Sequence, residues 1–126
     1  MNIDELTYKQ LREIAAIFAP STTQKPSPYA GLVGRAVVIR ANESGVWVGV
    51  IDSVQGTAIT LAPGARRAWY WEGAGSCSGL AETGPTGGKW PAPSSGRVVV
   101  ADVFEVLEAT ADAMAAVAAQ PVWTGR

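Results

Sequence analysis

Between Gly34 and Leu107 the chain is a succession of short runs rich in β-branched and aromatic residues, each closed by a turn-forming group. Arg35–Ala41 precedes Asn42-Glu43-Ser44-Gly45, Val46–Ser53 precedes Gln55-Gly56, and Ala58–Leu61 precedes Pro63-Gly64. Glycine and asparagine reach turn backbones that other residues avoid, so each group ends one strand and starts the next. Val46, Val48 and Val50 fall on one face of their run, with Trp47, Gly49 and Ile51 on the other. Arg66–Trp71 makes a fourth strand and Arg97–Leu107 a last one, with a bulge near Asp102 resetting its phase. Short strands with hairpin-sized turns predict a small barrel or sandwich.

The flanks read differently. Asn2 and Glu5 match a capping box. Ile3, Leu11, Ile14 and Phe18 then share one stripe, which predicts an amphipathic helix ended by Pro20. Ser21–Pro28 is a polar linker. Ser76 caps a single helical turn over Ser76–Glu82, and Thr83–Gly96 reads as a long Gly/Pro/Ser loop. Glu108–Gln120 is Ala-rich and predicts a C-terminal helix stopped by Pro121, followed by a docked apolar pair, Val122-Trp123. The expected organisation is an N-terminal helix at 1–19, a linker at 20–33 and a body at 34–126, together one domain. The expected fold is mainly β in the α+β sense: a small five-stranded barrel or bent sheet carrying the two helices.

Composition narrows the chemistry. The chain has no histidine, which removes imidazole metal sites, Ser–His and Cys–His dyads and the commonest general base. Its one cysteine, Cys77, has no partner for a disulfide and fits a reducing compartment. Ten basic residues against 11 acidic ones give a net charge of −1, which disfavours long nucleic acids as partners. The acidic N-terminus lacks the apolar core of a signal peptide, and no apolar run is long enough to span a membrane. Gly73-Ala74-Gly75-Ser76 and Gly84–Lys89 both lack the Gly-x-x-x-x-Gly-Lys-Ser/Thr pattern of an ATP-binding loop. The expectation is a non-enzymatic cytoplasmic protein with no metal and no cofactor.

The densest chemistry lies in Arg66-Arg67-Ala68-Trp69-Tyr70-Trp71. On one continuous strand, Arg67, Trp69 and Trp71 share a face, setting a guanidinium beside two indoles. Indoles stack planar rings and arginine grips phosphate or carboxylate, so this face reads as a pocket for a planar anion. The same residues read equally as core, with the arginines paired to Glu72 or Asp102. Lys89 and Trp90 supply a cation and an aromatic that suit a lid over a ligand, or an ordinary loop plugged onto the body. The candidate ligand-binding set is Arg66, Arg67, Trp69, Trp71, Lys89 and Trp90.

Gly34-x-x-Val37-x-Ile39, Gly45-x-x-x-Gly49-x-Ile51 and Ile59-x-Leu61 resemble the start of Sm-like and SH3-like barrels, where glycines sit at the bends of short strands. Over most of its length the chain resembles a family of small uncharacterised tailed-phage proteins. Four blocks carry that resemblance: Leu6–Ala15, Arg66-Arg67-x-Trp69-Tyr70-Trp71-Glu72-Gly73-Ala74, Ser78-Gly79-Leu80-Ala81 and Val122-Trp123. The resemblance implies a phage or prophage accessory protein acting in the cytoplasm of a bacterial host. With the Arg/Trp strand, it leads to the expectation of a sponge for a small anionic, cyclic-nucleotide-type immune signal. The alternatives are an inhibitor of a host protein and a minor virion or assembly component. Charged residues are only 17% of the chain, against roughly 25% in ordinary domains, so a homo-oligomer is expected.

Overall fold

A computed structural model describes residues 26–125. The expected N-terminal helix lies outside the described residues. The described residues are mainly β, with eight strands, two short α-helices and a single 3-10 turn at Ala30–Leu32. The strands are β1 (Ala36–Ala41), β2 (Gly45–Gln55), β3 (Ala58–Leu61), β4 (Arg66–Ala68), β5 (Tyr70–Glu72), β6 (Gly87–Lys89), β7 (Val98–Val100) and β8 (Val103–Glu108). The helices are α1 (Cys77–Thr83) and α2 (Ala111–Ala118).

The main sheet is antiparallel and bent, in the order β7-β3-β2-β1-β8, with β4 added beside β2. β2 is long enough to serve two neighbours in turn. Val46–Val48 pair with β4, and Ile51–Gln55 pair with β3, with an irregularity between Ile51 and Ser53. At the other end of the sheet, β7 pairs with β3 while β8 pairs with β1. Only Ala101 and Asp102 separate β7 from β8, and Asp102 has a φ of 54°. A non-glycine residue in the left-handed region turns the chain sharply. The sheet therefore curls so that one kinked stretch of chain supplies both of its end strands. The expected last strand, Arg97–Leu107, is thus two strands with different partners, and in place of a bulge near Asp102 there is a break between them.

Two clusters of buried residues lie on the two faces of the sheet. Val37, Ile39, Ile51, Ile59 and Leu61 belong to the inner one. Val38, Val48, Leu80, Trp90 and Val117 belong to the outer one, beneath the helices. β1 contributes to both, and Val37, Val38 and Ile39 are all fully buried. A strand covered on both faces reads as a continuous apolar run, and Val37-Val38-Ile39 is that run.

Local signals fix the helices. The Ser76 hydroxyl accepts from the Gly79 N–H at 3.3 Å and caps α1, as expected from the sequence. Thr110 does the same for α2, accepting from Ala113 N–H at 3.0 Å, and its hydroxyl donates to the Glu82 carbonyl at 2.6 Å. One threonine thus starts α2 and ties it to the end of α1. At the other end of the described chain, Tyr29 donates its hydroxyl to the Val103 carbonyl at 2.8 Å, fastening residues ahead of β1 to the start of β8.

The expected fourth strand, Arg66–Trp71, is two strands with different partners: β4 pairs with β2, and β5 with β6. The expected loop at 83–96 supplies β6. Arg66, the first residue of β4, ties that strand to distant chain. Its side chain is 3% exposed, and its five N–H donors meet five backbone carbonyls. These belong to Val117 and Gln120 at 2.8 Å, Pro121 at 3.4 Å, Trp90 at 2.8 Å and Pro91 at 3.1 Å. Three of the five lie in or just after the last turn of α2, the end of a helix that favours a cation. Burial lowers the Arg66 pKa from its ordinary value, while arginine remains charged throughout the range in which proteins fold. Replacing Arg66 by Met removes one donor from each of these carbonyls, leaving those of Pro91, Gln120 and Pro121 without their described donor, and is expected to cost on the order of 3 kcal/mol or more. Urea unfolding followed by circular dichroism checks this: the midpoint should fall with its slope unchanged.

Candidate functional site

The site is built by the interruption between β4 and β5. Trp69 sits at that break, held by its N–H donating to the Lys89 carbonyl at 3.1 Å. Its indole is 56% exposed, and the Tyr70 side chain next to it is exposed as well. Beyond α2, Pro121 ends the helical segment and Val122 forms an isolated parallel bridge with Trp90. Trp123 then donates its N–H to the Trp90 carbonyl at 2.8 Å. That bond places the Trp123 ring against Trp69, with centroids 5.9 Å apart and planes 20° apart, a stacked pair. The Arg67 guanidinium carbon lies 5.0 Å from the Trp69 ring centroid, and the Lys89 ammonium 5.5 Å from that of Trp123. Each indole thus carries its own cation.

The six residues expected from the sequence divide. Arg67, Trp69 and Lys89 come together in this cluster. Arg66 does not: it is a buried cross-link whose donors are already used. Trp90 is fully buried in the outer cluster, with its ring N–H directed at the Gly87 carbonyl at 3.4 Å, so it is core and not a lid. Trp71 is half-buried against the same cluster and donates to the Ala74 carbonyl at 3.1 Å. The alternation that put Arg67, Trp69 and Trp71 on one face fails because the strand changes partner at Trp69. Trp123 is the member that strand reasoning missed. Its signal was the apolar Val122-Trp123 pair after Pro121, which marks a docking segment without saying where it docks.

Gly88 shapes the floor of the cluster. Its φ is +134°, and a Cβ there would collide with the Tyr70 carbonyl oxygen across the β5–β6 pair. A glycine lets the two backbones approach closely enough to align Lys89 with Tyr70.

Two depressions elsewhere compare poorly as anion sites. One, of about 170 Å³, lies between the β1–β2 turn and Asp102 and is lined by Glu43, Ser44 and Trp47 among others. It has room for a few waters rather than a nucleotide. The other, of about 420 Å³, lies between α1 and β8, where Glu82 and Glu108 face any ligand with negative charge. None of the six expected site residues lines either one.

Residues 34–117 match the family described as Domain of unknown function (DUF6948). The chain belongs to that family. No curated protein and no solved structure matches it. The matched span includes Arg67, Trp69 and Lys89 but stops short of Trp123, so one of the two indoles lies outside it.

Cys77, the first residue of α1, is buried in the outer cluster. Burial pushes its thiol pKa above the ordinary value; Arg40 pulls it back and Glu105 adds to the rise. A raised pKa leaves little thiolate at neutral pH, and the thiolate is the reactive form. Iodoacetamide at pH 8 is therefore expected to modify Cys77 at least about ten times more slowly in the folded chain than in urea. Mass spectrometry of timed samples measures both rates.

Proposed function

We propose that this domain is a non-catalytic binding module that captures a small planar anion of the nucleotide class on Arg67, Trp69, Lys89 and Trp123. The observation that carries this reading is the stacked pair of indoles at the surface, each with a cation over its ring. Indoles offer stacking energy to any aromatic ring, on the order of 1–3 kcal/mol per base. Arginine and lysine then select the rings that carry phosphate. An exposed Trp69 also costs solubility, which is a reason to expect a surface that is used. The resemblance to small phage proteins sets the biological frame. In it the protein is a phage-encoded sponge that removes a nucleotide immune signal from the host cytoplasm, working as a homo-oligomer.

A second reading has its own support. Tyr70 and Val122 are 49% and 53% exposed and lie beside Trp69 and Trp123 in the chain, widening the apolar area beyond what one base covers. Trp, Tyr and Arg are the usual anchors of protein interfaces, so the same face suits a host protein that the domain inhibits.

Titration calorimetry of the full chain against cyclic diadenylate, cyclic triadenylate and ADP-ribose separates the two. The nucleotide reading expects saturable binding of at least one, weakened roughly tenfold by Arg67→Ala and further by added salt. No heat with any of the three removes that reading and leaves the protein-partner one.

A further inference from the structure

The two indoles are held in unequal ways. Trp69 is fixed between two strands: β4 and β5 flank it, each paired to a neighbour, and its own N–H is bonded to Lys89. Trp123 lies beyond the reach of Arg66, whose last contacts in this direction are the carbonyls of Gln120 and Pro121. Past Pro121 the described backbone contacts are the bridge of Val122 to Trp90 and the Trp123 N–H bond to the Trp90 carbonyl. Trp69 is therefore the fixed member of the pair, and Trp123 rides on a short segment hinged at Pro121.

A third ring held between two others needs them about 7 Å apart, two ordinary stacking contacts of about 3.5 Å each. The pair, with centroids at 5.9 Å and rings in mutual contact, is closed to such a ring. Opening it forfeits the indole–indole contact and strains a single hydrogen bond. An inserted ring restores two stacking contacts for the one lost. The cations are distributed to match, with Arg67 on the fixed ring and Lys89 on the hinged one, so phosphate beside the inserted ring meets positive charge from both members.

We infer that Trp69 and Trp123 are the jaws of an aromatic clamp, collapsed on each other when empty, which part at Pro121 to hold one purine-sized ring of a phosphate-bearing ligand. The inference rests on the nucleotide-binding reading above. It makes Trp123 a binding residue, although it lies outside the span that matches the family.

The test measures affinity and ring geometry together, in the full chain with cyclic triadenylate and with ADP-ribose. Two close indoles give an exciton-coupled signal in circular dichroism, which should be present in the free protein and collapse at saturation as the rings separate. Trp123→Ala and Trp123→Leu should each weaken binding about 5- to 150-fold, the range of one lost base-stacking contact. Trp123→Phe, which keeps an aromatic face, should stay within a few-fold of the parent, and this also shows that the Ala and Leu losses do not come from misfolding. Unchanged or tighter binding by Trp123→Ala would mean that Trp123 merely covers Trp69, and the clamp is overturned while the nucleotide reading stands. Persistence of the exciton signal at saturation overturns it equally. If the parent chain binds neither compound, nor cyclic diadenylate, the nucleotide reading itself falls, and the clamp with it.

Discussion

A buried guanidinium with no carboxylate beside it among the described residues holds the outer half of this fold together. A lone cation inside a protein is costly unless its hydrogen-bonding capacity is filled. Arg66 meets that condition entirely with backbone carbonyls, drawn from the exit of β6 and from the end of α2 and the residues that follow. The Trp90 and Val117 carbonyls also accept backbone N–H groups, from Trp123 and Gln120, while Arg66 is the described donor to those of Pro91, Gln120 and Pro121. The arrangement is mutual: the carbonyls make the charge tolerable, and the charge makes the buried carbonyls tolerable. Because it joins β4, β6 and α2, it also sets where the segment carrying Trp123 leaves the body.

The cluster of indoles and cations follows from that frame. Between Ala68 and Tyr70 the chain leaves one sheet and joins another, and Trp69, at that crossing, belongs to neither strand. Its indole is exposed there. The crossing brings Lys89 alongside through the β5–β6 pair, and the segment after α2 brings Trp123. Three separate stretches of sequence therefore converge on one spot, though only the first shows an obvious motif.

The fold class was readable because its signals are local. Turn residues after each apolar run and the cap at Ser76 act within a few positions. What escaped depends on distant partners. No turn residue marks the change of partner at Trp69, so six residues read as one strand. β6 is Gly87-Gly88-Lys89, with almost no intrinsic strand preference, and it forms because β5 needs a partner. Trp90 follows it into the core and so cannot be the lid that a loop position implied. Arg66 binds carbonyls 24 to 55 residues away, and a backbone carbonyl leaves no trace in side-chain identity. Of the six expected residues, Arg67, Trp69 and Lys89 are brought together, while the places of Arg66, Trp71 and Trp90 were decided by packing.

The double burial of β1 has a consequence for how the domain comes apart. The inner and outer clusters are distinct sets of side chains, yet they share the backbone of Val37, Val38 and Ile39. Neither layer can melt while the other keeps its strand in place, because the same hydrogen-bonded ladder serves both. A two-layered domain of this size would ordinarily have a seam along which partial opening begins. Here the seam is itself a strand, which makes the two layers a single cooperative unit, and the β1 amides should be among the last to exchange with solvent.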